Sequence, residues 1–596
     1  MKISLLLSVA AATVALAGPN CPPLGPVYEK PYNFKTSSAI QAAIANLTAT
    51  FTAWDQNNST AIRSNTTSYS IEVFSTNKEN PTIFSWHHTA ASLAAATNTS
   101  GVKKAGPDAV YRLGSLTKVF TVYAWLVQDG DVKWNEPITK YIPELAAAAD
   151  KAKEDPVANV PWDESDAVGL GFPPLENSDP MLPKCGEWPQ CNRTEFFAGL
   201  LRAYPSFAPF TTPAYTNTGY QILAYALEAI KGKSFQSMVE EGVLRPLGLD
   251  HTYYRDPPVE EGIIPGAQNR SGWNYQLGDE NPAGNMYSSI SDISTLGRAI
   301  LRSTLLPPVL TRRWLRPATM SSELVAGVGY PWGVRRVVVP YANGKHVVDA
   351  FNKAGQIGYY SSLLVLLPDY DVGFAVLHAG ENIPGNSNFN VADILGAQLV
   401  PALEAAAREQ AEAKFSGEYV DDTRNTSLRL STQTDRPGLG VENWVSNGTD
   451  MKTVAVVMQG GYSPVQPSVR MYPTGLETVR EDGSKRVAFK AVFEDLNLPA
   501  RTNNMFSTDC VRLQKGLILA TILYRPHRVM VDGLGGRMIL TIDDDPCWAG
   551  QPPLAVVPDP LAVWYRVLDG GGRQRIGCAA RRAAQQYAEN GDGVQL

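Results

Sequence analysis

The stretch that decides the fold runs from Tyr111 to Gly130, YRLGSLTKVFTVYAWLVQDG. Ser115 and Lys118 stand three residues apart at the start of an apolar run that closes in Asp129-Gly130. Gly114 permits a tight entry, and Gly130 is a natural helix stop. Leu116, Val119, Phe120, Val122, Tyr123, Trp125, Leu126 and Val127 leave hardly any polar face, and a helix that is apolar all round is a buried one. Side chains at i and i+3 share a face. A hydroxyl and an amine therefore meet at the electropositive mouth of a buried helix. Desolvation disfavours a charged ammonium, and an unprotonated lysine beside a serine activates that serine as a nucleophile. The expectation is a serine enzyme of the Ser-x-x-Lys type.

Working outward, the first 17 residues, MKISLLLSVAAATVALA, combine an early Lys2 with an apolar middle and a small-residue end. That is the pattern of a secretory signal, cleaved before Gly18. The apolar run falls short of the ~20 residues a membrane span needs, and no later stretch approaches that length. The expected location is extracellular, with no membrane association after signal removal. Sequons at Asn46, Asn57, Asn58, Asn65, Asn98, Asn192, Asn269, Asn425 and Asn447 agree with a eukaryotic secretory route. Six cysteines are an even number, as disulfides need. Cys185 with Cys191, and Cys510 with Cys547, are the local pairings the spacing suggests, leaving Cys21 with Cys578 as a remainder. None has C-x-x-C spacing, so no structural metal and no cofactor are expected. The net charge of −6 argues against a nucleic-acid surface.

A chain of 596 residues is too long for one ordinary core. A Pro-rich lead over residues 18–66 precedes a catalytic domain over 67–413. Within the lead, Ser38 to Trp54 has helical periodicity. In the catalytic domain, Ser70–Ser75 and Thr82–Trp86 read as strands. Glu144–Glu154 reads as a short Ala-rich helix, and Asp155–Cys191 as a long surface excursion. Gln221–Ile230 is a helix, and Ser289–Leu301 is a second one capped by Ser289. Four strand-like runs begin at Gly333, Lys345, Ser361 and Val372, with Asn343-Gly344 as a hairpin turn. Val391–Ala413 is a charged, Ala-rich helix. From Phe415 the text changes to short apolar runs between Gly, Asn, Asp and Pro, read as a β-rich domain over 414–568. A polar, Arg- and Gln-rich tail occupies 569–596. The fold class is α+β.

Ser-x-x-Lys alone is a weak pattern, because Ser75/Lys78 and Ser100/Lys103 match it too; both lie in polar segments expected to be exposed loops. A proton shuttle is also required. Tyr215-Thr216-Asn217 stands in a polar loop before a helix; its tyrosine, beside cationic lysines, is expected to titrate low and pass a proton. The Asn217 amide can orient a lysine or a substrate amide. Tyr341-Ala342-Asn343 repeats the spacing but belongs to a hairpin. Lys353-Ala354-Gly355 is the third signal: a second cation, then a glycine that lets substrate approach a strand backbone. The N–H of Gln356 with that of Ser115 makes an oxyanion hole. Lys104-Ala105-Gly106 and Lys184-Cys185-Gly186 match without a following strand.

With these motifs in this order, residues 67–403 resemble the serine β-lactamase and penicillin-binding-protein family. The closest likeness is to the class C, esterase-like branch, whose motifs are Ser-x-x-Lys, Tyr-x-Asn and Lys-Thr-Gly. The flanks ITKYIPEL, YTNTGYQILAYALE and GYYSSLLVLLPDYDVGFAVL carry the same likeness. With the β-rich extension, the whole resembles secreted fungal proteins of this kind. The resemblance implies an antiparallel sheet flanked by helices plus an all-helical region, with the serine at their junction. It also implies hydrolysis of an ester, amide, peptide or β-lactam through an acyl-enzyme: Ser115, Lys118 and Tyr215 catalytic, and Asn217, Lys353, Gly355 and Gln356 binding a small-molecule or peptide-like acyl substrate. Ala354 departs from the threonine of the third motif, whose hydroxyl helps bind a substrate carboxylate. An acyltransferase of the same fold and a non-catalytic binding protein are the alternatives. No G-x-S-x-G elbow is present, which argues against an α/β-hydrolase. His87-His88 resembles a metal pair, but neighbours on a strand face opposite ways, and His378 reads as structural.

Overall fold

The computed structural model describes residues 22–497, apart from 148–191 and short stretches at 33, 58–61, 98–99, 202–206, 208–210, 382, 434, 459–463 and 480–484, together with strands at 518–524, 532–534 and 537–540. The signal segment, the excursion before Cys191, all six cysteines and the C-terminal tail lie outside these residues.

The strands of the first domain are β1 (Thr67–Ser75), β2 (Thr82–His88), β3 (Val110–Arg112), β4 (Thr252–Tyr253) and β5 (Tyr287–Ser289). They continue as β6 (Thr319–Met320), β7 (Ala326–Val328), β8 (Gly333–Tyr341), β9 (Gly344–Ile357), β10 (Tyr360–Leu367) and β11 (Val372–Gly380). Eight of them form one antiparallel sheet in the order β2-β1-β11-β10-β9-β8-β7-β6. The central strands β1, β10 and β11 are buried along their whole length. Helices cover both faces, so β10 and β11 are largely apolar runs, while β1 alternates Tyr69, Ile71 and Val73 with buried Ser68, Ser70 and Glu72.

One face carries the helices Ser38–Asn57 and Ser387–Phe415; Ile40, Leu47, Phe51, Leu395, Leu399 and Leu403 pack there against Ile71, Leu363 and Val376. The other face carries the helix Ile290–Leu301 and, beyond it, the all-helical region built around Thr117–Asp129. Ser289 caps the former helix, its hydroxyl accepting from Asp292 N at 3.2 Å. The β8–β9 turn sits one residue earlier than expected. Tyr341 pairs with Gly344, leaving Ala342-Asn343 at the tip, because Asn343 N donates to the Asp435 carbonyl at 2.7 Å and pins it there.

Strands between Gly417 and Leu540 form a second, nine-stranded sheet. Its apolar face (Leu428, Leu439, Met471, Phe489) closes on Ala407, Ala411 and Phe415 at the end of the long helix and on Val27 and Tyr28 of the lead. The fold is therefore α+β with a C-terminal β-rich domain. Among the described residues no helix is long and apolar enough to cross a membrane.

Candidate active site

Ser115 lies in a single turn of 3-10 helix, Gly114–Leu116, that feeds the helix Thr117–Asp129. Thr117 to Leu126 are all buried, Lys118 included. Gly114 has φ +53, and a Cβ there would meet Gln356 N at 2.6 Å; only glycine fits. The Ser362 hydroxyl donates to the Leu113 carbonyl at 2.6 Å, and Leu113 N donates to Met286 O at 2.9 Å, which pins the turn from two sides.

Lys118 Nζ reaches three acceptors: Ser115 Oγ at 3.0 Å, Asn217 Oδ1 at 2.7 Å and the Ala283 carbonyl at 2.6 Å. Burial, followed by the charge of Lys353, holds its pKa well below the usual lysine value. A neutral amine has two N–H groups and one lone pair. If the hydrogens go to Asn217 and Ala283, the lone pair faces Ser115 Oγ. Asn217 occupies the cap position of the helix Thr218–Lys231 without capping it, because its side chain serves the lysine. Thr216 Oγ1 bonds Gly219 N at 3.3 Å instead.

Tyr215 exposes 47% of its surface but turns its hydroxyl inward onto Ser115 Oγ at 2.5 Å. Its pKa is raised by burial of that end, which outweighs the opposing pull of the Ser115 bond, with a smaller upward push from Glu280. The expectation of a low-titrating tyrosine is thus corrected: its lysine neighbour Lys118 is itself pushed toward the neutral form, so desolvation prevails. Its ring lies between the two lysines, with centroid distances of 4.9 Å to Lys118 Nζ and 5.3 Å to Lys353 Nζ.

Lys353 is buried rather than a solvated strand end. Its Nζ donates to the Ala354 carbonyl at 2.5 Å, and burial lowers its pKa to about 8. A Cβ on Gly355 would sit 2.7 Å from Ser115 N, so the Gln356 end of β9 lies backbone to backbone against the serine turn. Ala354 alternates to the other side and packs on the core beneath the helices Ser38–Asn57 and Ser387–Phe415. Strand β8 pairs with β9 only as far as Asn352; over 353–357 the described ladder to β9 comes from β10 alone. Ser115, Lys118, Tyr215, Asn217, Lys353, Gly355 and Gln356 thus all converge.

A family model described as Beta-lactamase matches residues 75–160 and 162–395, more than half of the chain. The chain belongs to the beta-lactamase family. A second model, for a beta-lactamase-like C-terminal domain, matches residues 407–518. A "Beta-lactamase-like protein" of Arthroderma benhamiae is 29% identical over 79% of this chain and 84% of its own. A "Probable hydrolase" of Phoma sp. is 26% identical over 70% and 72% respectively. A solved class C beta-lactamase superposes with a TM-score of 0.42 at 16% identity, covering 61% of this chain and 97% of its own. This member of the beta-lactamase family is a serine hydrolase.

The decoy motifs are elsewhere. Ser100 and Lys103 are exposed. Ser75 corrects its expectation: it ends β1 fully buried, its hydroxyl donating to Asn80 O at 2.5 Å, while Lys78 points to solvent. Tyr341 donates to Glu404. His87 bonds Ser70 Oγ at 2.9 Å and His88 bonds Asp55 at 2.9 Å, with different partners for the two rings. His378 is buried and bonds Ser387 Oγ at 3.1 Å. Sequence reasoning missed two contacts of Lys118: the Ala283 carbonyl, which no side-chain pattern announces, and the ring of Tyr220. The spacing of Tyr220, one turn after Asn217, was a usable signal for the second.

Proposed function

We propose that Ser115 is the nucleophile of a secreted hydrolase that cleaves an ester or amide through a covalent acyl-enzyme. One observation carries this reading: Ser115 Oγ lies within hydrogen-bond reach of both Lys118 Nζ and Tyr215 OH, at 3.0 and 2.5 Å. Lys118, biased toward its neutral form by burial, takes the serine proton as Oγ adds to the carbonyl carbon. Tyr215 relays that proton to the departing alcohol or amine as its bond to the carbonyl carbon breaks. Water then adds to the acyl-enzyme, and its proton restores Ser115. The N–H groups of Ser115 and Gln356 receive the oxyanion, while Asn217 and Lys353 orient the substrate. Export is part of the proposal, supported by the signal pattern of residues 1–17 and the nine sequons.

The test is labelling with a fluorophosphonate, then peptide mapping and turnover of a p-nitrophenyl ester. The adduct is expected on Ser115, with turnover lost in Ser115→Ala and in Lys118→Ala. An adduct elsewhere, or a Ser115→Ala protein that labels like wild type, overturns the assignment.

A further inference from the structure

Lys118 meets a second aromatic face beyond that of Tyr215. Its Nζ lies 5.1 Å from the ring centroid of Tyr220, so two rings flank the amine. The helix Thr218–Lys231 delivers this ring together with Asn217: Tyr220 N donates to the Asn217 carbonyl at 2.9 Å, and residues three apart share a face. Two neighbouring residues of one helix start therefore act on the same nitrogen, one through an amide oxygen and one through a π face. The other groups facing the amine are Ser115 Oγ, the Ala283 carbonyl, Lys353 on β9 and Glu280 just before Ala283. Among the described residues, no carboxylate pairs directly with Lys118.

We propose that the ring face of Tyr220 is a positioning element that sets how readily Lys118 takes a proton, an assignment that rests on Lys118 being the base of Ser115. Burial and the charge of Lys353 disfavour the ammonium. Carried further, that bias leaves an amine too weakly basic to remove a serine proton. A general base works best when its pKa stays near the working pH. The negative face of an aromatic ring stabilises a cation most strongly where water is excluded. Glu280 pushes the same way without touching the amine, and Tyr220 adds to that compensation at contact, where a carboxylate would lock the lysine in its charged form. Tyr215 cannot be tested for this role in isolation, because its hydroxyl also touches the nucleophile. Tyr220 separates the two effects.

The experiment measures the rate of fluorophosphonate modification of Ser115 against pH in the full-length protein, with thermal unfolding recorded for each variant. Tyr220→Phe keeps the ring face and leaves the acid limb of the profile in place. Tyr220→Leu removes the face, favours the neutral amine and moves the acid limb down by about one pH unit. Replacing Tyr220 by 4-fluoro- and then 3,5-difluorophenylalanine weakens the face at nearly constant shape, and should move the limb down stepwise. This series decides the matter even if the leucine variant fails to fold. A rate that drops at every pH with the limb unmoved, or a limb that moves upward, overturns the proposal and leaves Tyr220 a packing residue. A wild-type adduct on another residue overturns the acyl-enzyme reading instead, and this assignment with it.

Discussion

Adding one methyl group at Gly355 tests whether the strand and the serine turn act as one unit. A Cβ built there lies 2.0 Å from Leu113 O, 2.6 Å from Leu116 N and 2.7 Å from Ser115 N. A carbon–oxygen contact is ordinarily about 3.3–3.6 Å, so more than ~1 Å must be found. All three atoms are backbone, and no side chain can swing aside. The turn is held from behind by Ser362 and Met286, so the separation opens between Ser115 N and the Gln356 end of β9. A misplacement of about 1 Å in a catalytic array costs ~10²-fold in rate, or about 2.7 kcal/mol of transition-state stabilisation. Overpacking also costs about 1–3 kcal/mol of stability. The assay is kcat/KM on a p-nitrophenyl ester beside thermal unfolding of the same protein. Gly396→Ala is the control: a Cβ there meets nothing, and alanine within that helix should stabilise by about 0.5–1 kcal/mol. A Gly355→Ala enzyme retaining kcat/KM within about threefold of wild type would refute the reasoning that this contact fixes the reacting geometry.

Three further outcomes are expected. Tyr215→Phe keeps the ring between the two lysines but removes the hydroxyl on Ser115, so kcat should fall by about 10²–10⁴-fold with KM little changed, read by steady-state kinetics. Lys353 has its pKa lowered to about 8 and is therefore an ammonium below that pH and neutral above it; KM should rise through pH 8, and Lys353→Gln should flatten the rise. Far from the site, buried Glu404 accepts from Tyr370 at 2.8 Å and from Tyr341 at 2.5 Å, and meets His346 Nδ1 at 3.2 Å. Burial opposes the His346 charge, but Asp369 and Glu404 outweigh it and raise the pKa to about 9; burial likewise opposes the Glu404 charge, but His346 and the two tyrosine hydroxyls outweigh it and lower that pKa. The histidine's contribution is complete below its unfolded pKa of about 6.5 and is lost as pH rises through 9; the glutamate's is present above about 4.3 and lost on acidification. Thermal stability should thus plateau between those limits, and Glu404→Gln should lose about 3–5 kcal/mol within it.

The decoys show where local pattern stops being informative. Ser75/Lys78 and Ser115/Lys118 share a spacing, and burial of the serine does not favour the second pair: Ser75 is buried and Ser115 only half-buried. They differ in the lysine: Lys78 projects from a turn, whereas Lys118 follows its serine into a helix apolar on every face. That difference was readable, because all-round apolarity is a property of consecutive residues. The protonation tendencies of Tyr215 and Lys353 were not. Each depends on how much water the neighbouring segments exclude, and those segments lie up to 238 positions apart in the chain, from Ser115 to Lys353.

By itself the sequence determined which residues are the candidates for the chemistry and on which elements they ride. Motif spacing, apolar periodicity and glycine positions are local, and local chemistry sets helix, strand and turn. Only the tertiary structure decided the geometry around one nitrogen. The Ala283 carbonyl and the Tyr220 ring reach Lys118 from separate segments, and Ala354 faces away from Ser115 while Lys353 and Gly355 face it. Desolvation, lone-pair direction and strand-to-turn contact are properties of packed neighbours, so they exist only once the sheet and the helical region have closed on the serine.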